Sequence, residues 1–269
     1  MPLGGVPIVI RKLIDLAGRG LSGRPEPVVS SRVARIPGGL RVYVVGDIHG
    51  RADLLSRLLT RMDIDEAARP VQRCVTVFLG DYVDRGLQSR QVIDLLIARQ
   101  RDRPMLALRG NHDDSMLRAL SDTEVALRWL AAGGRETLHS YGVAVPVDVN
   151  RDTVHTVIAS AAKQIPDSHR VFLERLRPYA RIGDYAFSHA GIRPGIPLES
   201  QSLEDLTSIR QPFLDCATPH EFVIVHGHTP VHAPDFRANR INIDTGAYIT
   251  GNLTCLVLEE DRRSILTPA

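Results

Sequence analysis

The chain is poor in cysteine, and the three it has are scattered. Cys74, Cys216 and Cys255 lie far apart among 269 residues, and no CxxC pair is formed. This excludes a thiolate zinc site and a disulfide framework, and fits apolar thiols in a reducing, cytoplasmic compartment. An excess of one charge is lacking too. Lys plus Arg number 33 against 31 Asp plus Glu, a net charge of +2. Bulk charge therefore gives no reason to expect a nucleic-acid polymer or an acidic membrane as partner. No run approaches the roughly 20 apolar residues that span a bilayer. Familiar signatures are also missing: GxSxG and HExxH do not occur, and the turn after the first strand is "GDIHG" rather than GxGxxG. Dinucleotide binding, serine hydrolysis and mononuclear zinc hydrolysis thus lose their usual markers. No internal repeat is visible.

What is present has a regular plan. Residues 1–40 read as a short amphipathic helix, Ile8 to Leu21, and the linker "SGRPEPVVSS". Positive charges follow the apolar stretch there, the reverse of a secretory signal. From Arg41 to about residue 260 the pattern predicts one α/β domain. "RVYVVG", "VTVFLG" and "PMLALRG" read as strands. Between them lie two helices, one burying Leu54, Leu55, Leu58, Leu59 and Met62, the other starting with Ser89 as N-cap. Strand–helix alternation at this spacing predicts a largely parallel sheet. Residues 115–181 are rich in helix formers and predict a helical insertion over the site. They hold the only tryptophan, Trp129, and Tyr141, either of which could face a substrate. Later strands, "GDYAFSHAG", "EFVIVHGHT", "RINIDTG" and "NLTCLVLE", predict a second sheet packed on the first, and residues 261–269 a tail.

Several strands end in glycine and polar residues: "GDIHG", "GDYVDRG" and "GNHDD", then "SHAG" and "HGHT". Ligands bind at the carboxyl ends of strands in open α/β sheets. Gathered there, Asp47, His49, Asp81, Asn111, His189 and His228 offer oxygen and nitrogen donors without thiolate. That set suits a pair of divalent ions such as Mn, Fe or Zn. Such pairs sit about 3.5–4 Å apart and need a bridging carboxylate. Asp81, on the middle parallel strand, is the natural bridge. Asp47 and His49 are two apart in an extended segment and project together. Each feature alone has a plainer reading: a GD turn, an interior histidine, an Asn-led helix cap. Five of them in one chain, each after an apolar strand, do not.

In that order, "GDIHG", "GDYVDRG", "RGNHD", "HAG" and "GHT" resemble the signature blocks of the metallophosphoesterases, and more narrowly the phosphoprotein phosphatase family. That family includes eukaryotic serine/threonine phosphatases, the phage lambda-type phosphatase and bacterial symmetrical diadenosine tetraphosphatases. The resemblance runs from about Arg41 to Glu259. It implies two mixed β-sheets sandwiched together and flanked by helices. It implies two cations, with manganese the first choice and Fe, Zn or Co as alternatives. Asp47, His49 and Asp81 would hold one; Asp81, Asn111, His189 and His228 the other. His112 would protonate the leaving group and Asp84 would orient it, while Arg85 and Arg109 would grip phosphate. Arg210 would be a third phosphate contact, although Ser208 stands where the bacterial branch carries tryptophan. Pro230 departs from the GHxH of looser relatives, so "GHTP" supplies one ligand, and His226 before it would support the ligands from behind or be a bystander.

The implied activity is hydrolysis of phosphate monoesters by a hydroxide that bridges both cations. Phosphoserine or phosphothreonine in a protein is the first expectation for substrate. A bis(5'-nucleosyl)-tetraphosphate or another small phosphoester is the alternative, and a non-catalytic metal-binding module the minor one. A monomer acting on a phosphorylated protein or small molecule is expected, with no transmembrane segment.

Overall fold

Strand β1 (Leu40–Val45) is buried along its whole length, and alternate side chains go to different places. Leu40, Val42 and Val44 join one apolar cluster, Tyr43 and Val45 another. Both faces of its sheet are covered, which is why the strand reads as a continuous apolar run. The computed structural model describes residues 33–266. The expected N-terminal helix and most of its linker lie outside the described residues.

The chain continues through α1 (Ala52–Ala68), β2 (Arg73–Phe78), α2 (Ser89–Asp102) and β3 (Met105–Ala107). Strands β1, β2 and β3 are parallel and adjacent, with β2 in the middle. Helix α1 buries Leu54, Leu55, Leu58, Leu59 and Met62, the expected face. Ser89 is not the cap of α2: Gln88 precedes the helix, and buried Ser89 accepts from the Asp84 amide at 3.1 Å.

Helices follow: α3 (Asn111–Ala119), α4 (Thr123–Trp129), a kink at Leu130–Gly134 where Gly133 has a φ of 121°, α5 (Arg135–Ser140), α6 (Val154–Gln164) and α7 (Asp167–Glu174). Asp122 caps α4 by accepting from the Glu124 and Val125 amides. The helical stretch thus runs from Asn111 to Glu174, because β4 (Tyr179–Ile182) already belongs to the second sheet. That sheet adds β5 (Tyr185–Ser188), β6 (Val223–His226), β7 (Asp235–Phe236) and β8 (Arg240–Asn242), with α8 (Leu203–Ser208) between β5 and β6. Its order is β4-β5-β6-β8-β7, and β5, β6 and β8 run parallel.

After a short α9 (Ala247–Thr250), the last strands correct the expectation. β9 (Cys255–Glu259) and β10 (Arg262–Ile265) join the first sheet, β9 antiparallel to β1. Residues 262–265 are sheet rather than tail. The domain also begins before Arg41, since the Ile36 amide donates to the Glu260 carbonyl at 2.7 Å and Ile36 is buried. The result is two mixed five-stranded sheets packed face to face, with helices outside. Between them lie Val42, Val44, Val75 and Val77 from one side and Ile182, Phe187, Val225 and Ile241 from the other. Phe187 is wholly buried at this contact. Phe187→Ala is therefore expected to cost about 3–5 kcal/mol, measured as a lowered urea midpoint with an unchanged slope.

Candidate metal centre

The loops after β1, β2, β3, β5 and β6 meet at one edge of the sandwich. They do so in strained backbone. Six non-glycine residues among those described have left-handed φ, and five are His49 (45°), Asp81 (51°), Asp84 (74°), Arg85 (68°) and His228 (65°). Each such residue costs about 1–3 kcal/mol and persists only where surrounding structure imposes it. Glycines let the loops close. A Cβ on Gly110 would run into the Asp81 carboxylate, and one on Gly227 into that of Asp47. Asp113 ties two loops together. Its buried carboxylate accepts from the amides of Asp81 (2.8 Å), Gly110 (2.9 Å) and Tyr82 (3.0 Å).

Asp81 stands at the centre. His49 Nε2 and His189 Nε2 each lie 3.4 Å from its Oδ2. Its Oδ1 accepts from the His112 amide at 3.0 Å. Two groups of ligand-type atoms share it: His49, Asp81 and His112, and Asp81, His189 and His228, each within 4.8 Å. Asn111 Oδ1 lies 3.1 Å from His189 Nε2 and 2.9 Å from His228 Nδ1. Asp47 reaches the second group through its Oδ2, which accepts from the His228 amide at 3.1 Å. His49, Asp81, Asn111, His189 and His228 thus meet through their side chains, and Asp47 joins them through the His228 amide.

The donors fit cations. Asp47 Oδ1 and His228 Nε2 are buried and have no hydrogen-bond partner. Nδ1 of His49 faces the Val83 carbonyl at 2.9 Å, and Nδ1 of His189 faces the Leu79 carbonyl at 3.1 Å. Those carbonyls fix the proton on Nδ1 and turn the Nε2 lone pairs inward. Burial holds His49 and His228 down to about 3, so both are neutral donors. At Asp81, burial opposes ionisation, but His189 and His112 outweigh it and keep the carboxyl well below its usual range. Asp47 is pushed well up by burial and by the Asp244 charge. Asp244, in "IDTG", went unnoticed in the sequence; its carboxylate accepts from the Gly246 amide at 2.9 Å.

Beside this centre, His112 Nδ1 lies 2.6 Å from Asp84 Oδ2. Burial disfavours the charged ring, yet Asp81 and Asp84 outweigh it, and the His112 pKa lies above its ordinary value. Asp84 is itself wholly buried and pushed up by burial, against which three donors favour its ionised form. They are His112, Thr137 Oγ1 at 2.7 Å and Trp129 Nε1 at 3.0 and 2.9 Å. Trp129 and Tyr141 are therefore not open platforms. Both are buried, and the Tyr141 hydroxyl meets His169 Nδ1 at 2.9 Å.

The arginines divide. Arg85 spreads its terminal nitrogens 3.0 Å from His49 Nε2 and 3.0 Å from His112 Nε2. Its guanidinium lies over the Tyr248 ring at 4.7 Å from the centroid, another residue the motifs do not mark. Arg109 is elsewhere. Its guanidinium pairs with Asp114 at 3.2 Å and donates to the Glu174 and Leu173 carbonyls at 3.0 and 3.4 Å. Those partners tie it to Asp114 and to the end of α7. Arg210 is exposed, and its charge helps depress the His228 pKa. His226 is buried, with Nδ1 on the Gly227 carbonyl at 3.1 Å.

His189 opposes its neighbours. Burial works against its charge, but Asp81 and Asp47 raise its pKa to about 10. The shift is upward from 6.5, so its stabilisation is complete below that pH and fades as pH rises through about 10. A cation held by His189 would have to displace that proton. Mn2+ binding at pH 8 is expected to release at least about one proton per chain. Calorimetry in buffers of different ionisation enthalpy measures this; zero release would mean that His189 is already neutral.

Known proteins share this fold and part of this sequence. The family model described as calcineurin-like phosphoesterase matches residues 40–256. A bis(5'-nucleosyl)-tetraphosphatase PrpE [asymmetrical] from Anoxybacillus flavithermus is 30% identical over 79% of this chain and 88% of its own length. A serine/threonine-protein phosphatase 1 from Salmonella typhimurium is 35% identical, over 41% of this chain and 46% of its own. The crystal structure of a candidate diadenosine tetraphosphatase shares the fold, with a TM-score of 0.60 at 20% identity, covering 88% of this chain and 95% of that one. The chain belongs to the calcineurin-like phosphoesterase family.

Proposed function

We propose that this metallophosphoesterase works through a two-cation centre, with His112 as leaving-group acid. One observation supports the reading: Asp81 is common to the His49–His112 and His189–His228 clusters, and His112 is also paired with Asp84. Asp47, His49 and Asp81 would hold one cation; Asp81, Asn111, His189 and His228 the other. Oxygen and nitrogen donors accept Mn, Fe, Zn or Co, and manganese is the first choice. When bound, such a pair supplies positive charge for phosphoryl oxygens and a nucleophilic water at neutral pH.

The chain's own residues do the remaining work. Arg85, forked between the His49 and His112 rings, is the donor for phosphoryl oxygens. Asp84 accepts from Nδ1–H of His112 and favours the doubly protonated ring, whose Nε2–H would be given to the leaving oxygen. Trp129 and Thr137 hold Asp84 in that role. Arg210, exposed near His228, is an outer contact for phosphate.

Two substrate classes share this chemistry. A phosphoserine or phosphothreonine side chain is what the motifs suggest first. The relative matched along most of its length is instead named a bis(5'-nucleosyl)-tetraphosphatase, whereas the serine/threonine phosphatase matches over under half of its own. We therefore rank the dinucleoside polyphosphate first and the phosphoprotein second.

Asp81→Asn is expected to lower metal affinity and turnover by at least about 100-fold. Metal titration with Mn2+-supported p-nitrophenyl phosphate hydrolysis checks this, and retained turnover would remove the bridging role. His112→Ala should slow simple alkyl phosphates by about 10²–10⁴-fold and p-nitrophenyl phosphate far less, because only the alkoxide needs a proton. Equal losses on both would argue against the acid.

A further inference from the structure

A cavity of about 230 Å³ opens directly beside the acid. His112 and Asn111 form its inner wall, and Val125, Trp129 and Ala132 its apolar side. Ser115, Arg118 and Arg128 complete it. The volume lies below the roughly 300–1,000 Å³ of a pocket that encloses a whole small ligand. It takes part of a substrate, and its position beside His112 makes that part the leaving group.

The charge of the cavity is positive. Arg118 and Arg128 are exposed residues of α3 and of α4, brought to one mouth by the turn at Asp122. The acids nearby are already engaged. Asp114 pairs with Arg109 at 3.2 Å and with Arg118 at 3.6 Å. Asp122 caps α4, and Glu124 pairs with Arg151 at 2.8 Å. Among the described residues no ion pair engages Arg128. Arg118 shares Asp114 with Arg109, and Arg128 has no such partner, which leaves a positive surplus that a neutral serine or threonine alcohol cannot use. A leaving group with its own phosphate can.

We infer that Arg118, Arg128 and Ser115 form a leaving-group subsite for a phosphate chain, so that the favoured substrate is a polyphosphate cleaved at an anhydride bond. The inference rests on the two-cation reading of the adjoining centre. Hydrolysis there forms a P–O bond from water and breaks the bond to the bridging oxygen. The leaving phosphate departs with that electron pair, and the water proton passes to solvent. The next phosphate along the chain is the group that Arg118 and Arg128 hold. An acidic peptide strand could supply similar charge, but this small mouth against His112 suits a compact polyphosphate better than an extended backbone.

The test compares kcat/KM for diadenosine tetraphosphate with that for p-nitrophenyl phosphate, under Mn2+. In Arg118→Ala and Arg128→Ala the ratio of the two should fall by about tenfold, the scale of one lost charge-assisted contact. Arg128→Lys should keep most of the ratio, and Arg128→Glu should lower it further. Both side chains are exposed, so the variants are expected to fold, which thermal melting confirms. An unchanged ratio, with p-nitrophenyl phosphate still hydrolysed, would overturn the subsite and leave the two-cation reading standing. So would a loss confined to acid-flanked phosphopeptides. Wild-type protein inert on both substrates would overturn the two-cation reading and the subsite with it.

Discussion

One carboxylate sets the terms for this structure. Asp81 must sit at the end of the central parallel strand, wholly desolvated, with His49 and His189 both 3.4 Å from one oxygen. An ionised carboxyl in that position is expensive unless positive charge surrounds it. Much around it serves to hold it. Its own φ of 51° is left-handed, its amide is tied to Asp113, and Gly110 is bare so that the next loop can reach it. Strain of this kind is retained where geometry matters more than stability.

The helical stretch is wired to the same centre. Its indole and hydroxyl, Trp129 Nε1 and Thr137 Oγ1, both end on Asp84, and Asp84 ends on His112. A buried indole needs an acceptor, and a buried carboxylate needs donors. Each satisfies the other, so the apolar core of the helices and the polarity of the site share one wall. The same helices bring Arg118 and Arg128 to the cavity beside the acid. Placement of the acid and recognition of what leaves are thus duties of one segment.

Much of this was legible in the sequence, for local reasons. Apolar runs capped by Gly-Asp or Gly-Asn mark strand ends, but the DxH segment is not extended: His49 has a left-handed φ of 45° and groups with Asp81 and His112, while Asp47 meets the His228 amide. All six expected ligands gather where those loops meet. What the sequence hid is what depends on distant partners. β9 pairs antiparallel with β1 across some two hundred residues, and nothing near Cys255 says which sheet it will join. Arg109 follows the same rule as Arg85 in its motif, yet its guanidinium is captured by Asp114 and by carbonyls of α7. Trp129 looked available because its acceptor, Asp84, lies 45 residues earlier. Asp113 had a readable signal, an acid three residues after Gly110 at a helix start. Tyr248 had none, since no regular motif spacing points to it.

The central claim is that two cations share Asp81. Anomalous diffraction from crystals grown with Mn2+ tests it most directly. The account predicts two peaks per chain about 3.5–4 Å apart, both in contact with Asp81, one beside His49 and the other beside His189 and His228. A single peak, or two that Asp81 does not touch, would contradict it.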